Sequence, residues 1–163
     1  MSNTLLSAPL GAVAAAPPAA GYALRPAAQK DASAIAKAYL LSYDGAWTFE
    51  EALEDVERAF ANGHGQLLAD ASRIAVDSDS TCIGAVFTVL DPPWKATPPG
   101  PFIIDVFVVP AARGRGIGRS LMTAAMAAAP GATIALRVED DNAAAIALYG
   151  SLGFTRGDNQ RGP

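Results

Sequence analysis

The stretch that most constrains the fold is Phe102–Met122, where an apolar run, a glycine-rich turn and an amphipathic pattern follow one another. Residues Phe102–Val109 are apolar except for Asp105, and Pro101 and Pro110 bound this run. Such a composition is typical of a strand that is buried on both faces. After the turn, four apolar residues have the spacing of one face of a helix: Ile117, Leu121, Met122 and Ala125. Because the turn would direct backbone N–H groups and the positive end of a helix dipole to one place, the stretch predicts a phosphate or pyrophosphate site.

The glycine spacing in this turn distinguishes between three kinds of phosphate loop. A P-loop has Lys after its last glycine, where this chain has Arg119 after Gly118. A dinucleotide fingerprint is Gly-x-Gly-x-x-Gly, whereas Gly114, Gly116 and Gly118 are evenly spaced. The third pattern, Arg/Gln-x-x-Gly-x-Gly/Ala, is filled by Arg113, Gly116 and Gly118. It resembles the coenzyme A pyrophosphate loop of the GNAT superfamily of acetyl-CoA-dependent N-acetyltransferases, and the alternative is a left-handed turn without a ligand.

A second stretch, 136–154, resembles another conserved block of the GNAT superfamily. Asn142, Ala145, Ile146 and Tyr149 have the spacing of one helix face, so an amide, a small side chain and a phenol would point the same way. Asn142 is also placed to cap this helix. Tyr149 on this face could contact the cofactor, or it could be an amphipathic residue of the hydrophobic core.

The resemblance implies that acetyl-CoA binds where the central strand parts from its parallel neighbour, Thr133–Val138. Backbone N–H groups of Arg115–Gly118 would hold the pyrophosphate, and the pantetheine would pair with Val106–Val108 as an added strand does. The implied cofactor-binding residues are Val106, Phe107, Val108, Arg113, Gly114, Arg115, Gly116, Ile117, Gly118, Arg119, Asn142 and Ala145.

The same resemblance implies direct attack of an amine on the thioester, with Tyr149 protonating the departing thiolate. A backbone N–H near Val108 would polarise the carbonyl. For the general base we expect Asp105, since it is the only charge in a buried run and its pKa should be perturbed. A purely structural Asp105 remains open, as does a water chain to Asp44 or Glu139.

The acceptor would lie against two loops. Tyr43, Asp44 and Trp47 concentrate aromatic and acidic side chains between two predicted helices, and Trp94 lies in a proline-rich loop. Trp47 could instead only pack those helices together. We predict a primary amine of a small molecule or peptide as acceptor, and we keep a homodimer open.

Composition excludes several other classes. A net charge of −4 argues against nucleic acid, and one Cys and one His leave almost nothing for a metal site or a disulfide. No apolar run approaches the ~18 residues of a membrane span. The sequence therefore predicts a cytoplasmic enzyme without a metal, whose co-substrate is acetyl-CoA.

The predicted fold class is α/β, a mixed central sheet flanked by helices. The element order β-α-α-β-β-β-α-β-α begins near Tyr22 and has a shortened C-terminal end. We assign residues 1–20 to a flexible Ala/Pro-rich tail and 21–163 to one N-acetyltransferase domain. The closing strands could be absent, supplied by a partner, or replaced by the N-terminal tail. An alternative function therefore remains open: the chain could be a non-catalytic acyl-CoA-binding module or one half of a larger acetyltransferase assembly.

Overall fold

The computed structural model of the chain describes residues 2–11, 19–43, 45 and 47–156. Within them the strands are β1 Asn3–Pro9, β2 Tyr22–Pro26, β3 Gln66–Leu67, β4 Arg73–Asp77, β5 Cys82–Leu90, β6 Pro101–Val108, β7 Thr133–Glu139 and β8 Thr155–Arg156. The helices are α1 Ala32–Ser42, α2 Phe49–Phe60, α3 Ile117–Ala128 and α4 Ala143–Ser151.

The described strands form one mixed sheet in the order β2-β4-β5-β6-β7-β1-β8, with β3 paired to β5. Strands β6 and β7 are parallel and the other pairs are antiparallel. Helix α1 packs on the face that carries Phe107, because the Tyr39 ring meets the Phe107 ring at 5.5 Å. Helix α3 packs on the opposite face, where Leu121 lies beside Gly84, the partner of Val108 in the register. The predicted fold class, a mixed sheet flanked by helices, is confirmed.

A cleft opens at the centre of the sheet because β6 and β7 pair over a short distance only. Their register joins Phe102 to Ala135 and Ile103 to Leu136, and the two strands then diverge. On its other side β6 has a register shift against β5, since Phe87 faces Asp105. Asp105 lies two residues before Phe107 in continuous register with β5, so the alternation of the strand puts both side chains on the face of α1.

The predicted flexible tail is wrong for Asn3–Pro9, which form β1. This strand pairs antiparallel with the whole of β7 and, on its other side, with β8. Its apolar side chains explain the docking, since Leu5, Leu6 and Ala8 are 5%, 7% and 2% exposed. Of the three ways to close the sheet, the structure shows the N-terminal segment lying at this edge. Residues 12–18 and 157–163 lie outside the described residues.

The residues before α1 and α2 differ in how they cap the helix. A capping box begins α2, with the Glu51 N–H donating to Thr48 Oγ1 and the Thr48 N–H donating to Glu51 Oε2. Asp31 precedes α1 without capping it, because its carboxylate accepts from both Nη atoms of Arg25 at 2.8 Å. Across the described ranges, no helix has the length and hydrophobicity to cross a membrane.

Candidate functional site

A cavity of about 750 Å³ occupies the cleft between the diverging ends of β6 and β7. The start of α3 and one side of α4 complete its wall. Its lining includes most of the predicted site residues: Tyr43, Asp105, Val106, Phe107, Val108, Arg113, Gly114, Gly116, Ile117, Gly118, Asn142, Ala145 and Tyr149. Residues from two distant sequence blocks, predicted separately, therefore meet around one space.

The other predicted site residues lie outside this lining. The Trp47 ring packs edge-on against Tyr39 at 6.0 Å and its residue is 47% exposed, so it extends the aromatic surface beyond the cavity. Trp94 lies 6.1 Å from the Phe102 ring, and Arg119 donates to Ser151 Oγ at 2.7 Å. Arg115 is also not among the lining residues. Asp44 falls outside the described residues.

The glycine loop, residues 113–118, lies at the N-terminus of α3 and leaves open space beside Gly114 and Gly116. Gly114 and Gly116 have φ angles of 81° and 78°, in the left-handed region that glycine adopts without a steric penalty. Apart from the glycine itself and its two chain neighbours, no described residue has an atom within 4 Å of the position that a Cβ would take at either glycine. No side chain caps α3, so the N–H groups of its first turn are available to an anion.

Arg113, at the start of this loop, forms two hydrogen bonds with backbone carbonyls. Its Nε donates to the Val108 carbonyl and its Nη2 donates to the Ser42 carbonyl, each at 3.0 Å. The guanidinium therefore joins the ends of β6 and α1. Sequence reasoning missed Ser42, since nothing in the local pattern connects two positions 71 residues apart.

Asp105 lies on the cavity side of β6, where the hydroxyl of Tyr43 donates to its Oδ1 at 3.0 Å. Enclosure of the carboxyl raises the pKa of Asp105 to about 7, although the bond from Tyr43 acts in the opposite direction. The residue as a whole is half-buried, and the surroundings of the carboxyl itself decide its pKa. A carboxylate of this pKa can accept a proton near neutral pH.

Tyr149 supplies a proton donor on the opposite wall. The residue is 7% exposed, and burial together with the nearby charge of Asp105 raises its pKa to about 12. The phenol therefore keeps its proton at neutral pH. Tyr149 lies in α4, and Asn142 fixes where this helix begins, because its Oδ1 accepts a hydrogen bond from the Ala145 N–H at 3.2 Å.

The raised pKa of Asp105 has a measurable effect on stability. A carboxyl with a pKa of 3.8 when unfolded and about 7 when folded binds its proton more tightly in the folded state. The folded protein should therefore lose stability as pH rises from about 4 to about 7. Asp105→Asn removes this loss, so the variant should gain in Tm over the parent between pH 5 and pH 8 in thermal unfolding. An equal Tm difference at both pH values would contradict the raised pKa.

Arg137 and Leu148 are among the residues of the cavity wall that were not predicted as site residues. Arg137 lies in β7 and its Nη2 donates to the Ala96 carbonyl at 2.7 Å, which holds the proline-rich loop. Its charge within a mostly apolar strand was the available signal. Leu148 lies beside Gly118, and its place in the stretch 136–154 was the signal that could have found it. Among the residues that the structure describes, no group of three or more His, Cys, Asp or Glu could hold a metal ion.

The fold and the cavity define the class of protein. Open α/β sheets commonly bind ligands in a crevice at the carboxyl ends of their strands, and here the parallel central strands part beside a glycine loop at a helix N-terminus. The model of the Acetyltransferase (GNAT) family matches residues 32–154, and the chain belongs to this family. The resemblance predicted from the two motifs is confirmed.

Three relatives illustrate the breadth of the family. The chain is 34% identical over 138 residues to a mycothiol acetyltransferase of Amycolatopsis mediterranei (strain U-32), a match that covers 78% of the chain and 44% of the relative. It is 46% identical over 61 residues to the N-alpha-acetyltransferase RimI of Mycobacterium tuberculosis, covering 37% of the chain and 39% of that protein. Its structure is similar to a GCN5-related N-acetyltransferase from Sphaerobacter thermophilus, with a TM-score of 0.74 at 20% identity, over 95% of the chain and 48% of that protein. The matched part is less than half of each relative.

Proposed function

We propose that the protein transfers an acetyl group from acetyl-CoA to a primary amine of a small molecule or peptide by direct attack. One observation carries this proposal: a single cavity is lined by the open glycine loop, by Asp105 and by Tyr149. An anion seat, a base and an acid around one space are the parts that acyl transfer without a covalent enzyme intermediate requires.

The described residues fit acetyl-CoA at two places. The N–H groups of Arg115–Gly118 would hold the pyrophosphate, because the left-handed glycines leave the loop open above the start of α3. The backbone of Val106–Val108 would pair with the pantetheine, since β6 has no pairing to β7 beyond Ile103 in the described register. An extended ligand can therefore lie in the cleft as an added strand.

Asp105 and Tyr149 would handle the protons of the reaction. Asp105 takes a proton from the acceptor ammonium, which has a pKa near ~10 and cannot attack while charged. A backbone N–H near Val108 stabilises the negative charge that develops on the thioester oxygen. The attacking nitrogen releases its second proton to solvent as the amide forms, and Tyr149 gives its proton to the departing thiolate. Solvent then reprotonates Tyr149 and takes the proton from Asp105. A pKa of about 7 suits a base that works near neutral pH, and a pKa of about 12 keeps the Tyr149 phenol protonated until the thiolate departs.

The acceptor would approach along the aromatic surface formed by Tyr43 and Trp47, which are 42% and 47% exposed. Tyr43 lines the cavity and Trp47 continues its wall outward through Tyr39. Relatives named for a small molecule and for a protein N-terminus support both kinds of amine. The alternative is a non-catalytic acyl-CoA-binding module or one half of a larger acetyltransferase assembly, and the match to 44% of the mycothiol acetyltransferase is compatible with the second of these.

A combined binding and turnover experiment tests the proposal. Acetyl-CoA should raise the Tm with its concentration, and NAD, NADP and ATP should raise it less. Release of free thiol from acetyl-CoA should then depend on one member of a panel of small amines and peptide N-termini. Stabilisation without thiol release would favour the binding module. Stronger stabilisation by nicotinamide nucleotides would overturn the cofactor assignment.

A further inference from the structure

Arg113 is the only described side chain that hydrogen-bonds both the end of β6 and the end of α1. The Val108 carbonyl terminates the strand that carries Asp105, and the Ser42 carbonyl belongs to the last residue of α1. The final carbonyls of a helix have no partner within the helix, and a cation at this end is favourable. The guanidinium thus donates a hydrogen bond to the last carbonyl of α1 and joins this end of the helix to β6.

The residue after this attachment is Tyr43, which contacts Asp105. Tyr43 terminates α1 with an extended backbone, at φ −122° and ψ 120°, and its hydroxyl reaches Asp105 Oδ1 at 3.0 Å. Its ring lies 4.6 Å from the Tyr39 ring and 6.2 Å from the Phe107 ring. The side chain therefore has aromatic support, whereas the backbone immediately before it is bonded by Arg113.

The hydrogen bond from Tyr43 affects the charge state of Asp105. This bond and the N–H of Val106 both favour the carboxylate, while burial disfavours it. The other groups that act on or face Asp105 are Asp55 from α2, Tyr39 from α1, Tyr149 from α4, and Arg137 and Glu139 from β7. Because a hydrogen bond to a carboxylate lowers its pKa, the position of Tyr43 helps to set the pH at which the proposed base can work.

We propose that Arg113 is a positioning residue of the reaction, which holds the end of α1 on β6 and so keeps the Tyr43 hydroxyl on Asp105. This inference rests on the proposed role of Asp105 as the general base. It gives the first residue of the glycine loop a task at the acceptor side of the cavity. Two carbonyl acceptors suit the flat, multi-donor guanidinium, and a lysine could not reproduce both bonds.

The proposal predicts a change in pH dependence. Loss of the Tyr43 bond should raise the pKa of Asp105 by roughly one pH unit, the size expected for one hydrogen bond to a charged group. Tyr43→Phe and Arg113→Met should each shift the acidic limb of kcat/KM upward. Activity should fall several-fold at pH 7 and recover towards the parent near pH 9. The double variant should shift no further than Tyr43→Phe alone, because both substitutions remove the same contact.

The experiment follows the Asp105 carboxyl directly as well as turnover. Carbon-13 NMR of aspartate-labelled protein gives its titration in the absence of ligand, with Asp105→Asn for assignment. Arg73→Met is the matched control, since Arg73 also donates to a backbone carbonyl, that of Asp70, away from the cavity. Calorimetry gives the Kd of acetyl-CoA for each variant. Arg113→Lys should show part of the shift of Arg113→Met and serves as the second variant if the Met variant does not fold.

The outcomes separate this inference from the proposed function. An Asp105 titration that stays at the parental pH in Arg113→Met and Arg113→Lys, with weaker acetyl-CoA binding, would overturn the inference and show Arg113 as an anion contact alone. The proposed function would then stand if the parent acetylates an amine. If the Asp105 titration shifts in the Arg113 variants but the parent acetylates no amine, the positioning role of Arg113 would be supported and the proposed function would be wrong.

Discussion

Gly116→Asp should abolish measurable binding of acetyl-CoA and leave the fold in place. The residue begins α3 at the centre of the open loop, where the first-turn N–H groups would hold the pyrophosphate. A carboxylate there would put a negative charge at the positive end of the helix and repel the ligand's phosphates. The new Cβ meets no protein atom within 4 Å, so the substitution causes no clash. The φ of 78° should lower the Tm modestly, because Asp accepts this region better than most residues do.

Gly116→Ala is the matched control for charge. It has the same Cβ and at least as much backbone strain, without the carboxylate, so it should bind acetyl-CoA more weakly than the parent but measurably. Calorimetric titration of the three proteins gives the comparison, and thermal unfolding without ligand reports on the fold. If the Asp variant bound acetyl-CoA as tightly as the Ala variant, the loop would not be the site that binds the pyrophosphate.

Tyr149→Phe should lower turnover by ~10²–10⁴-fold, the usual range for loss of a general acid. The ring and its packing against Phe154, at 5.9 Å between centroids, are retained. Acetyl-CoA affinity and Tm should therefore change little. The loss should persist across the pH range over which the parental phenol, with a pKa of about 12, stays protonated.

Tyr39→Phe provides the comparison for this experiment. Tyr39 also has a pKa raised to about 12 by burial, but it does not line the cavity, so its hydroxyl should matter little for turnover. The assay is kcat against pH for the parent and both variants with the amine that the panel identifies. Near-parental turnover in Tyr149→Phe would show that water protonates the thiolate and that Tyr149 has only a packing role.

Local signals explain why much of the sheet could be predicted from the sequence. Strands β4 and β5 form where alternating and continuous apolar runs flank an Asp/Ser-rich turn, a pattern that is visible in the sequence. The glycine loop is local too, since Gly114 and Gly116 adopt positive φ angles that few other residues tolerate. Such elements depend on neighbours in the chain and are therefore open to pattern arguments.

The features that the sequence did not predict depend on distant partners. Strand β1 has one β-branched residue, Thr4, and ends in Pro9, so its pairing with β7 and β8 makes it a strand. The bonds of Arg113 to Ser42 and of Tyr43 to Asp105 likewise exist because α1 docks on β6. A one-dimensional pattern contains the residue types but not the crossing of these elements.

The pairing of β1 with β7 has a consequence for synthesis on the ribosome. The first strand emerges early, yet its partner lies roughly 130 residues later in the chain. At about 5–20 residues per second, β1 waits on the order of ten seconds before β7 exists. During that time Leu5 and Leu6 have no sheet to cover them. Contacts of such sequence separation also slow folding, so we expect the pairing of β1 with β7 to be a late step in the formation of the sheet.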